Sequence, residues 1–363
     1  MVSATRIFGL DLMRSVAIIL VCLLHGREIL SPYFPNFPNL WYIDGVDLFF
    51  SLSGFLIGTI FIREFSRKSG FFLKDVANFW IRRWFRTLPN YYLILGINIL
   101  LFYLRTKHFE IEGLWKYFIF AQNLNVVQCF HFFPESWSLA IEEWFYLTFP
   151  LICVLMVIFF NIKTQKAILV STLFIIIISI LIRNLEVKGM PVLTIGDWIR
   201  EFRNTVVFRL DSIVYGVLGA YLSLYHKRIW SKPKLLYFIL GLLGILLISN
   251  FYPLKSNLFL VNYDAFSSII ILLLLPYLSE WKSISNKLIE WAVTWISKIS
   301  YSMYLVNASI IFINLNNYNK AQNAKEAVFN YFIFWFLTFG LSYLLYSFFE
   351  KPTTALRDKF SIS

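Results

Sequence analysis

Residues 9–25 read GLDLMRSVAIILVCLLH. The run is apolar apart from Asp11, Arg14, Ser15 and the closing His25, and it ends in HGRE rather than in small residues. A secretory leader needs a small-residue cleavage site, so the stretch is read as a retained first transmembrane helix. Arg14 and His25 fall 11 positions apart. At 100° per residue they share one face, about 16 Å apart along the axis. One stripe thus carries a fixed cation toward one side of a bilayer and a titratable base toward the other. An ionisable side chain inside a span costs at least about 2.5–3.5 kcal/mol on insertion scales, so a partner or a task is expected for each. The plainer alternative pairs Arg14 with Asp11 at i, i+3 and leaves His25 among the headgroups.

The rest of the chain has the same character. Its 363 residues are 58% hydrophobic, 20% aromatic and only 15% charged, with mean hydropathy +0.66. Soluble domains run near 25% charged, so a soluble globular enzyme is excluded. Spans of about 20 apolar residues are expected near 7–26, 43–62, 88–104, 137–160, 167–182, 206–224, 235–251, 258–278, 299–316 and 327–349. The predicted fold is an all-α integral membrane protein with about ten helices in one bundle, a single domain over 1–363 with no fused extracytoplasmic domain.

The net charge of +12 would suggest nucleic acid in a soluble protein. Here the basic residues sit in short segments between spans, which is a topology signal. With the N-terminus cytoplasmic, most Lys and Arg fall inside, led by Arg63, Arg67, Lys68, Lys74, Arg82, Arg83 and Arg86. Both termini are therefore expected in the cytoplasm. Cys22, Cys129 and Cys153 show no paired spacing, and histidines at 25, 108, 131 and 226 show no ligand spacing, so no disulfide framework or metal site is expected.

Polar residues inside the spans gather at one depth. Asp44 and Asp47 open the second span, Glu142 and Glu143 the fourth, and Arg209 and Asp211 the sixth, while Asp264 enters from the same outer side. They are candidates to orient His25 and stabilise its cation, with inter-helix ion pairing, such as Arg209 with Asp211 or Asp47, as the structural alternative. Adjacent glutamates diverge by about 100°, and Glu142 is taken as the one facing a partner. On the inner side Arg82, Arg83 and Arg86 precede Pro89 in NFWIRRWFRTLPNYY. They suit phosphates or serve as ordinary interfacial anchors. Tyr301 and Tyr304 are placed at the inner start of the ninth span.

Seven segments, in order, resemble the membrane acyltransferase-3 family. They are GLDLMRSVAIILVCLLH, GVDLFFSLSGFLI, RRWFRTLP, SWSLAIEEWFYLTFP, FRLDSIVYG, ISYSMYLV and the terminal FFEKP. Two positions depart from the usual pattern: Asn307 stands where relatives often carry histidine, and Ser136 precedes Trp137 where histidine or threonine is common. The resemblance implies a bacterial cytoplasmic-membrane enzyme that moves an acyl group, usually acetyl, from acyl-coenzyme A as co-substrate to a hydroxyl of an extracytoplasmic glycan such as lipopolysaccharide O-antigen. It implies no resident cofactor and no nucleic acid partner. On that reading Arg82, Arg83 and Arg86 attract the donor's phosphates, and Arg14 and Tyr301 help hold the donor. His25, oriented by Asp47 or Glu142, is the base or the acyl-carrying nucleophile, with Arg209 and Asp211 supporting the acceptor side. The competing class is a transporter or flippase for a lipid-linked sugar or small acid. Against it, the chain has no matched pair of short, Gly/Pro-broken spans.

Overall fold

The computed structural model describes residues 6–36, 44–65, 73–108, 111–125, 132–251 and 256–360. Arg67, Lys68, Cys129 and His131, used in the reading above, lie outside them. Among the described residues the architecture is helical throughout, with no strand. The long helices are α1 Phe8–Leu30, α2 Gly45–Phe65, α3 Leu73–Thr106, α4 Ser136–Phe160, α5 Thr164–Glu186, α6 Val206–Tyr225, α7 Lys234–Phe251, α8 Asn257–Glu280, α9 Lys287–Val306 and α10 Ala324–Leu345. Nine of the described helices are long and apolar enough to cross a membrane. The tenth expected span is α7, a shorter helix of 18 residues.

Two spans differ from the sequence expectation. α3 starts at Leu73 and runs unbroken through Pro89, so Arg82, Arg83 and Arg86 ride on a helix rather than on a loop ahead of one. α9 starts at Lys287 and continues through a π-turn, Asn307–Phe312, to Tyr318. Tyr301 and Tyr304 are therefore in mid-helix, not at its start. In both cases an apolar-window count trims the polar turns that tertiary packing keeps helical.

Local chemistry explains how the helices tolerate their breakers. Pro150 removes the amide that would bond the Tyr146 carbonyl, and the Trp80 indole donates to that carbonyl instead at 2.9 Å, tying α3 to α4. After α10 a π-turn, Tyr346–Glu350, leads into Lys351–Phe360. Pro352 falls in the first turn of that helix, where proline is tolerated.

The central contact is α2 against α6, made backbone to backbone. Gly54 and Gly58 form a small-xxx-small pair, a close-packing device of membrane helices. A Cβ on Gly54 would stand 1.9 Å from the Ile213 carbonyl oxygen, and one on Gly216 would stand 2.2 Å from that of Ser51. Backbone cannot rotate aside as a side chain can. Gly216→Val is therefore expected to destabilise the bundle by about 1–3 kcal/mol, read as a lower melting temperature in detergent. Melting together with the wild type would show that the helices can part without cost.

α1 begins beside the end of α8: the Phe8 amide donates to the Lys282 carbonyl and the Gly9 amide to that of Trp281. This defines one face of the bundle, called here the N-terminal face. The opposite face carries the end of α1, the start of α4 and the π-turn of α9.

Candidate active site

Two connected cavities open into the bundle. The larger, about 1360 Å³, is a vestibule on the N-terminal face between α1, α2, the Tyr225 end of α6, the short helix Lys227–Ser231 and α8. Its wall carries Arg6, Arg14, Arg63, Lys227 and Lys282 against Asp11 and Glu280. Both carboxylates are occupied. Asp11 receives two bonds from Arg6, at 2.8 and 2.6 Å, and one from Ser297 at 2.7 Å. Glu280 receives Ser231 at 2.5 Å and Lys234 at 2.6 Å. The vestibule is thus a basic mouth. The sequence reading had put Arg6, Arg63, Lys227 and Lys282 together among the basic residues of the inner segments, without giving them a donor role.

The smaller cavity, about 90 Å³, lies deeper and shares Arg14 and Leu56 with the vestibule. Its polar lining is Arg14, Arg83, Arg86, Ser53, Thr87, Ser138, Glu142, Tyr146, Ser300, Tyr301 and Tyr304. Arg14 makes no ion pair with Asp11, which Arg6 and Ser297 hold. Neither Arg14 nor Arg86 makes an ion pair with a described residue within 4 Å. Their charges act on each other, and both act on Glu142. Glu142 accepts from Tyr146 at 3.2 Å and hydrogen-bonds Ser53. Glu143 turns the other way, taking the Thr87 hydroxyl at 2.7 Å. Tyr301 donates to the Thr87 carbonyl at 2.9 Å, bracing the helix turn that holds Arg86. Arg82 lies outside both linings, exposed and paired with Glu64 at 2.8 Å.

His25 is placed differently from the expectation. Its Nδ1 bonds Oδ1 of Asn307, and the ring stacks on Phe312 with centroids 6.4 Å apart. The Asn307 amide nitrogen donates to the carbonyls of Met303 at 2.8 Å and Tyr304 at 2.9 Å. That directs its oxygen at His25, so Nδ1 carries the proton and Nε2 keeps its lone pair. Nε2 has no described protein partner. His25 does not line the smaller cavity. The boundary is Tyr304, whose hydroxyl shares a 2.6 Å bond with Ser138 and whose carbonyl meets Asn307. Nearby, Glu135, just ahead of α4, accepts from Ser309 at 2.5 Å. Burial pushes its carboxyl up to about 7.

The carboxylates expected to orient His25 do other work. Asp47 is taken by Arg209 at 2.5 Å and Ser267 at 2.9 Å, and Arg209 also pairs with Asp264. Asp211 does not pair with Arg209; it is held by Arg183 through two bonds of 2.8 Å. The five charged residues, Asp47, Arg183, Arg209, Asp211 and Asp264, are at most 2% exposed, so they clamp α2, α5, α6 and α8 together and present no face to an acceptor. Arg183 was counted as a loop residue from sequence. The stripe Thr172, Ser179, Arg183 on α5, all buried, was the signal that it points inward. Among the described residues no group of three or more His, Cys, Asp or Glu side chains could hold a metal ion.

Comparison with known proteins adds the following. A family model described as an acyltransferase domain matches residues 7–347. A Staphylococcus aureus (strain COL) protein named "Putative O-acetyltransferase" is 29% identical over 371 residues, covering 95% of this chain and 56% of that protein. The "O-acetyltransferase OatA" of Staphylococcus aureus (strain NCTC 8325 / PS 47) is 28% identical over 373 residues, with the same coverage. The chain thus spans about half the length of the curated relatives it matches. No solved structure matches it significantly.

Proposed function

The chain belongs to the acyltransferase-domain family, and from that premise we propose that it is a membrane O-acyltransferase with a two-sided site. The N-terminal face is cytoplasmic. Acyl-coenzyme A enters there, its phosphates held by the basic vestibule and by the Arg14–Arg86 pair. The acyl group, acetyl in keeping with the relatives' names, passes to a hydroxyl of an extracytoplasmic glycan, of which lipopolysaccharide O-antigen is one candidate.

The observation that carries this reading is the cavity in which Arg14 and the exposed Arg86 stand without an ion pair to a described residue, beside the vestibule that shares Arg14. Two guanidinium groups lining one cavity suit an anionic occupant. The reach also fits. An extended pantetheine arm, a dozen bonds of about 1.3–1.5 Å, spans roughly 15 Å from phosphate to sulfur. The Arg14–His25 separation on α1 is about 16 Å.

At the outer end, Nε2 of His25 takes the proton of the acceptor hydroxyl as its oxygen attacks the thioester carbon. The carbon–sulfur bond then breaks and the thiolate takes the proton from the imidazolium. An acyl-histidine route begins from the same lone pair, and acid quenching before the acceptor is added separates the two.

Arg14→Ala and Arg86→Ala are each expected to raise the acetyl-coenzyme A concentration for half-maximal transfer by about 10–150-fold, the loss of a charge-assisted hydrogen bond. The assay follows label from acetyl-coenzyme A into glycan in membranes with matched protein. Unchanged half-saturation in both variants would remove the arginine pair from the donor site. Absence of both binding and transfer by the wild type would favour a transporter instead.

A further inference from the structure

The FFEKP motif supplies a buried carboxylate that the mechanism does not use. Glu350 ends the π-turn after α10, is 8% exposed, and lies outside the lining of both cavities. Ser302 of α9 donates to it at 2.5 Å. Asn90 of α3 lies beside it, and the charges of Arg86 and Arg14 act on it. Asn90 is one helical turn beyond Arg86, so Glu350 approaches the arginine pair from behind the cavity wall. Its neighbour in the wall is Tyr301, next in sequence to Ser302.

Carboxylates offset part of the pair's charge. Glu142 within the cavity and Glu350 behind it act on Arg14 and Arg86, while Arg83 shares the cavity and Arg6 and Asp11 also act on Arg14. In a medium of low dielectric such an offset lowers the cost of keeping the cations in an empty site. It also weakens their hold on an anion. We propose that Glu350 is a positioning residue whose charge limits how tightly the Arg14–Arg86 pair holds coenzyme A, so that the spent coenzyme can leave. The inference rests on the donor reading above.

The test is direct titration of wild type, Glu350→Gln and Glu350→Asp in lipid nanodiscs with coenzyme A, alongside transfer kinetics. Gln keeps an acceptor for Ser302 and loses only the charge. It is expected to bind coenzyme A roughly 3–10-fold more tightly, with lower half-saturating donor and slower turnover at saturation. Asp keeps the charge and is expected to stay within about twofold of wild type. A purely structural carboxylate would weaken binding in the Gln variant or leave it unchanged, and either result overturns the proposal. Where Glu350→Gln does not accumulate folded, a folded Glu350→Asp protein with binding weakened more than about tenfold overturns it equally. Wild-type protein that binds no coenzyme A would instead sink the donor reading itself.

Discussion

His25→Ala is expected to lower acyl transfer at saturating donor by about 10²–10⁴-fold, the span typical of a lost general base, while coenzyme A binding stays near wild type. The separation follows from the geometry. His25 does not line the cavity that holds Arg14 and Arg86, and its ring is fixed by Asn307, with no described residue bonded to Nε2. A substitution there removes the reacting nitrogen and leaves the donor's phosphates with their partners. The measurement is label transfer and coenzyme A titration on the same preparation. Wild-type transfer by His25→Ala would dismiss this residue from the chemistry. Equal loss of binding and transfer would mean that the histidine supports the fold.

Arg209→Leu is expected to cost about 3–5 kcal/mol of stability, the usual consequence of leaving buried charges without their partner. Asp47 and Asp264 both face Arg209, and all three are at most 2% exposed. Removing the cation strands two carboxylates between α2, α6 and α8. Thermal unfolding in detergent should show a protein that melts well below wild type or does not survive extraction. A variant that melts with the wild type but loses transfer would return Arg209 to the acceptor side, where the sequence reading had put it. The triple substitution Asp47→Asn, Arg209→Leu, Asp264→Asn is a control that removes the stranded charges and should recover much of the loss.

The ionic clamp shows why the outer carboxylates misled the sequence reading. Depth along a helix follows from counting residues, so Asp47, Arg209, Asp211 and Asp264 were correctly grouped at one level. Which side of its helix each faces, and which neighbour it meets, depends on how the helices pack. The structure pairs Asp47 with Arg209 and Asp211 with Arg183, and Arg183 had been set aside as a loop residue. Asn307, a departure from the family pattern, turns out to be the residue that orients His25.

Sequence alone determined that the chain is a helical membrane protein, where most of its spans run, and that Arg14 and His25 share a stripe with about 16 Å between them. Those properties depend on local hydropathy and helix period, which a linear string carries in full. Only the tertiary structure decided that Arg6 and Ser297 hold Asp11, that Arg86 lines one cavity with Arg14 while Arg82 pairs with Glu64, and that Glu350 comes back to them from the far end of the chain. Each of these joins residues from different helices. It is set by close approach such as that of Gly54 and Gly216, which no count along the chain can supply.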